Sequence, residues 1–156
     1  RDPVRFAEAQ RVVERKEHTL EDEIRWIEEQ GPYMPSLIDY IDKNKARYDL
    51  FIFFSYRYYH CFFGIPKVKE KALLVPTAEH DQVLYFYISR QIFRQVAGFL
   101  FNSVEEKMLI EGIHGVEKPS VVVGVGIIEL KPRGGKFREK YGDSKRNFPR
   151  GKTLFC

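Results

Sequence analysis

Four short, continuous apolar runs constrain this chain more than any other feature. They lie at residues 48–54, 72–75, 97–101 and 120–125. A run of that length without polar alternation is what a strand buried on both faces requires. Helix-length segments separate the later runs. Residues 82–95 carry Val83, Leu84, Phe86, Tyr87, Ile92 and Phe93, and residues 104–114 carry Met108, Leu109 and Ile113. Ser103 stands three residues before Glu106, the spacing of a helix-capping pair, and Gly115 is a natural stop. Strands alternating with helices form βαβ units with right-handed crossovers. The expected fold class is α/β, a Rossmann-like parallel sheet with helices on both faces. The strand order is left open.

Three helices are expected ahead of the first run. Phe6, Ala9, Val12 and Val13 fall at helical spacing within residues 5–17. Thr19 then precedes Asp22 as a cap hydroxyl precedes a carboxylate, Ile24, Trp26 and Ile27 follow, and Gly31-Pro32 ends that helix. Pro35 suits the first turn of a third helix, where its missing N–H would be unpaired anyway, with Leu37, Ile38 and Ile41 along one face. After Lys131 the pattern stops, and residues 131–136 read as a linker. The chain thus divides into a domain over residues 1–131 and a linker with a basic tail over 132–156.

The net charge of +4 belongs to that tail. From Lys131 onward nine Lys or Arg face two acidic residues, which leaves residues 1–130 net negative. Such a tail fits either a solvated end or weak peripheral contact with phosphate or anionic lipid. No window approaches the ~20 apolar residues of a membrane span. The chain opens at Arg1 without an initiator Met or a signal-peptide core, so the start of a longer parent is expected to be missing. Cys61 and Cys156 have no metal-type spacing, which argues against a disulfide framework or zinc site and suits a reducing cytoplasm.

Open parallel sheets bind ligands at the carboxyl ends of their strands. The first run ends in Ser55, Tyr56, Arg57, Tyr58, Tyr59 and His60; the second in Pro76, Thr77, Ala78, Glu79, His80 and Asp81; the third in Asn102 and Ser103; the fourth in Gly124, Val125 and Gly126. Polar and aromatic residues at one edge, with two glycines that permit close backbone approach, suit a sugar or nucleotide. Other chemistries lack their motifs. Gly124-Val125-Gly126 is a fragment of a dinucleotide fingerprint, and there is no phosphate-binding Walker loop, no nucleophile elbow and no helical pair of His ligands. Outside the tail, the basic residues lack the aromatic interleaving of a nucleic-acid platform. Each candidate also has an ordinary role open to it. Tyr56, Tyr58 and Tyr59 can pack a helix onto the sheet, Ser103 can cap, and Gly126 can permit a turn.

The segments at 48–54, Phe63-Gly64-Ile65-Pro66, residues 74–81, residues 101–106 and residues 122–127 occur in an order that resembles group 1 glycosyltransferases, over about residues 20–129. These are retaining enzymes of the GT-B fold. Phe137-Arg138-Glu139-Lys140-Tyr141-Gly142 is similar to the opening of that family's second domain. The resemblance implies an acceptor-side half of a two-domain enzyme that transfers a sugar from a nucleotide-sugar donor to a glycosyl acceptor, generally without metal or other cofactor. It implies that His80 faces the donor sugar as the catalytic residue, although Glu79 intervenes in what is usually Thr-Ala-His-Asp. Tyr56, Thr77, Glu79, Asp81, Asn102, Ser103, Gly124 and Gly126 are the expected substrate-binding residues. The family's first strand with its Gly-rich loop and the donor domain with its paired glutamates have no counterpart here, so the part shown is expected to be inactive alone. The alternative is a non-catalytic Rossmann-like binding or interaction module. An oxidoreductase is disfavoured because the Gly-rich loop and ribose-binding acid are not found.

Overall fold

The computed structural model describes residues 2–15, 17–124 and 126. The chain divides into two compact units, Arg1–Val125 and Gly126–Cys156. Of the second, only Gly126 is described, an exposed glycine. The linker at 131–136, the segment at 137–142, the basic tail and the expected boundary at 131 lie outside the described residues.

The first unit is α/β, with a four-stranded, all-parallel sheet flanked by helices, consistent with a Rossmann-like fold. Its strands are β1 (Phe51–Phe54), β2 (Ala72–Val75), β3 (Gly98–Phe101) and β4 (Ser120–Val122), in the spatial order β1-β2-β3-β4. The register sets Phe53 beside Leu74, Leu74 beside Phe99, and Phe99 beside Ser120. Each strand falls within an apolar run; β2 fills its run, and the other three are shorter than theirs.

The helices begin where local chemistry lets them. α1 (Pro3–Val13) is capped by Asp2, whose carboxylate accepts from the N–H groups of Val4 and Arg5. α2 (Leu20–Gln30) starts with the reciprocal pair expected of it. Thr19 Oγ1 accepts from Asp22 N–H at 3.2 Å, and the Asp22 carboxylate accepts from Thr19 N–H at 2.8 Å. α3 (Pro35–Asn44) carries its proline in the first turn. α5 (Tyr87–Gln95) and α6 (Val104–His114) connect β2 to β3 and β3 to β4. α4 (Tyr59–Gly64) follows β1, a six-residue helix at a position for which the sequence reading names none.

One sheet face, bearing Phe53, Leu74, Phe99 and Phe101, is buried. There the His60 ring of α4 stacks on Phe53, and Phe93 of α5 meets Phe99. α1 and α2 form an outer pair, joined by the Trp26 indole N–H, which donates to Gln10 Oε1 at 2.6 Å. Coverage of the opposite face is partial, unlike the expectation of strands buried on both faces. Val75 is buried there, but Ile52 (61 % exposed), Phe54 (58 %) and Val121 are not. Strands added successively in one direction through right-handed crossovers place their connections on one side, and that side holds the buried core.

Candidate active site at the carboxyl edge of the sheet

The chain leaves β1 and β2 through sharp turns. Ser55 and Thr77, the first and second residues past those strands respectively, adopt left-handed backbone conformations with φ of 61° and 52°. Non-glycine residues rarely adopt that region, and β-branched Thr least of all. The turns are held by backbone bonds to the neighbouring strand: Ser55 N–H donates to Val75 O at 2.9 Å and Tyr56 N–H to Pro76 O at 3.3 Å. The Thr77 hydroxyl donates to Pro76 O at 2.7 Å.

Glu106, in the first turn of α6, ties the loops after β2 and β3 together. It is buried, and its carboxylate accepts from Ala78 N–H at 2.7 Å and from Asn102 N–H at 2.6 Å. Both bonds are charge-assisted, the stronger class of hydrogen bond. Ser103 caps the same helix, its Oγ accepting from Glu106 N–H at 3.1 Å. Thr77, Ala78, Glu79, Asn102, Ser103 and Glu106 thereby line a crevice of about 270 Å3. Four of the expected substrate-binding residues, Thr77, Glu79, Asn102 and Ser103, are brought together. Glu106 was not among the expected site residues, although its spacing from Ser103 marked it as a capping partner. The four described strands run without a reversal of order, so the crevice sits between adjacent loops and not at a topological switch point.

The other candidates lie elsewhere. Tyr56 is fully buried against Phe93, and its hydroxyl has no well-formed hydrogen bond among the described residues. Burial, with a smaller opposing effect from Arg57, raises its phenol above the ordinary value. Asp81 forms an ion pair with Arg57 and caps the following 3-10 turn by accepting from Val83 N–H at 3.0 Å. Gly124 is exposed with φ of 71° and open space around it. Gly126 likewise has open space where a side chain would stand.

His80 is exposed, and it does not line the crevice. Its Nε2 lies 2.9 Å from the Tyr85 hydroxyl. A neutral imidazole that accepts from Tyr85 at Nε2 carries its proton on Nδ1 and can donate there. Tyr85 thus fixes the tautomer, while the neighbouring Asp81 carboxylate is engaged with Arg57. His60 is tied instead to the strand end, with Nε2 3.0 Å from Phe54 O. Burial lowers its basicity, the Phe54 carbonyl opposing.

Among the described residues, no group of three or more His, Cys, Asp or Glu side chains could hold a metal, and no helix is long and apolar enough to cross a membrane. Cys61 is a free, buried thiol, and burial pushes its pKa well above the ordinary thiol range. No protein-family model, curated protein or solved structure matches the chain.

Proposed function

We propose that this domain is the acceptor-side half of a glycosyltransferase that moves a sugar from a nucleotide-sugar donor to an acceptor, with retention of configuration. The observation that carries the reading is the convergence of Thr77, Glu79, Asn102 and Ser103 on one crevice at the carboxyl edge of a parallel sheet. That is where open α/β sheets present ligands, and the lining offers hydroxyl, carboxylate and amide groups suited to sugar hydroxyls. Buried Glu106 keeps the two loops at a fixed separation before any ligand arrives, and such pre-organisation favours binding. His80, standing beside the crevice loop with an outward donor, would hydrogen-bond a hydroxyl of the transferred sugar. The reaction needs no metal or cofactor beyond the donor, and the reducing cytoplasm is the compartment in which we place it.

The domain supplies one wall of a two-walled site. Positioning two polar substrates contributes roughly 7–11 kcal/mol in favourable cases, and a second, donor-binding domain would provide the rest of it. A non-catalytic binding module is the other reading. It is favoured by the internal engagement of Glu106, Asp81 and the Thr77 hydroxyl, which leaves few groups of the region free for chemistry.

His80→Ala in the full-length protein separates the two. A hydrogen bond that strengthens in the transition state accelerates the reaction, so turnover should fall by roughly ten- to a thousandfold, or about 1.4–4 kcal/mol. Stability should barely change, since His80 is exposed. Unchanged turnover per folded molecule would remove His80 from the site.

A further inference from the structure

A second cavity lies away from the crevice, between α2, α5 and α6. It has a volume of about 730 Å3 and is lined by His18, Thr19, Leu20, Glu23, Tyr85, Phe86, Tyr87, Arg90, Ile113 and His114. Three features of its wall stand out.

Glu23 is buried and fully engaged. Its Oε1 accepts from Tyr87 N–H at 3.0 Å and lies 3.0 Å from His18 Nε2, while Oε2 accepts from Ile88 N–H at 2.9 Å. Its negative charge is met by the start of α5 and by His18, so it repels an incoming anion little. Arg90, one turn further along α5, is exposed and forms no ion pair among the described residues. His114 also lines the cavity and is only 7 % exposed; neither ring nitrogen makes a well-formed hydrogen bond among the described residues, the Leu84 backbone being the one group near enough to favour its protonation. Its ring packs edge-on against Phe93 at 4.8 Å. A buried polar group without a well-formed bond is unfavourable unless something supplies the missing bond. The surfaces between these groups are apolar and aromatic: Leu20, Phe86 and Ile113, with the exposed rings of Tyr85 and Tyr87 at the mouth.

We propose that this cavity binds a small organic anion with an aromatic body, its carboxylate or phosphate held by Arg90 and its far polar group hydrogen-bonded to His114. The cationic rim, aromatic walls and buried imidazole match the three parts of such a molecule. Of these groups only Tyr85 also serves the proposed sugar-transfer site, where it bonds His80; Arg90 and His114 do not, so the inference is tested apart from that reading.

The test is a titration of the 15N-labelled 156-residue chain with 4-hydroxybenzoate, following the imidazole nitrogen signals. Benzoate, which lacks the distal hydroxyl, and acetate, which lacks the ring, serve as the comparison probes. The His114 signals should shift saturably while those of His60 stay in place, and benzoate should bind about fivefold more weakly or worse. Arg90→Gln should weaken both aromatic acids by about tenfold. His114→Phe, which keeps a ring against Phe93, should abolish the preference for 4-hydroxybenzoate over benzoate, read from the Ile113 methyl signals. The proposal is overturned if His114 does not respond at about 10 mM ligand, a concentration well above a weak small-molecule Kd. It is also overturned if acetate alone reproduces the shift, or if Arg90→Gln leaves the affinity unchanged.

Discussion

Glu106 and Ser103 illustrate how one spacing conceals two jobs. A capping pair would send the glutamate back to the N–H of its own cap residue. Here Ser103 caps as expected, but the Glu106 carboxylate reaches past it to Asn102 and across to Ala78. The spacing was legible; the destination was not, because the loop after β2 comes into reach only once the sheet has formed. Glu106→Gln keeps the shape but leaves one amide N–H facing a backbone donor. It should lower stability by roughly 2–3 kcal/mol in urea unfolding, since a buried group is left unsatisfied. The histidines set a pH dependence. Burial holds His114 below the ordinary 6.5, Leu84 opposing and Arg90 and Arg94 adding to it, and His60 is lowered similarly. The unfolded chain therefore takes up their protons more readily, so their contribution is intact above 6.5 and lost as pH falls below it. For His18, burial alone would lower the pKa, but the Arg15 carbonyl and Glu23 outweigh it and raise it. Its contribution is present below 6.5 and fades as pH rises through the folded value. His114→Phe should accordingly flatten the acid-side loss of stability between about pH 6.5 and 5 in urea titrations. An unchanged slope would show that His114 is not held neutral.

At the scale of elements, the apolar runs located the four described strands, although the outer face of β1 and Val121 of β4 stay exposed where burial on both faces was expected. The helix expected over residues 82–95 is instead a 3-10 turn (Gln82–Tyr85), an extended Phe86, and then α5. Asp81 caps the turn locally, whereas α5 begins at Tyr87 because the Glu23 carboxylate, more than sixty residues earlier, takes its first free N–H groups. No local pattern records a cap supplied from another helix. α4 escaped for a related reason. Its six residues are too few to show a period, and the segment is held by burial of Tyr59, Cys61 and Gly64. The two faces of β1 give a direct mutational contrast. Phe53 is 5 % exposed and Phe54 is 58 % exposed, so Phe53→Ala should cost about 3–5 kcal/mol and Phe54→Ala less than about 1 kcal/mol. Paired denaturant titrations of the isolated chain would show it, and equal costs would mean that the outer face is covered in solution.

Across the whole molecule, the parallel sheet, its packed helical face and the crevice at its carboxyl edge form a scaffold on which a polar ligand can be presented. The sequence pattern conveyed the edge at which to look, since strand direction follows from βαβ alternation. It could not convey which edge residues meet. Tyr56 turns into the core, Asp81 is taken by Arg57, and the loops after β2 and β3 close around a shared space. The proposal that this space is one wall of a retaining sugar transferase's site is tested most directly by following the anomeric proton of the transferred sugar. The full-length protein would be supplied with UDP- and GDP-hexose donors and the reaction observed by NMR, beside the 156-residue chain alone. The predicted result is a glycoside with the donor's anomeric configuration from the full-length protein and no product from the isolated chain; an inverted product, or turnover by the 156 residues on their own, would contradict it.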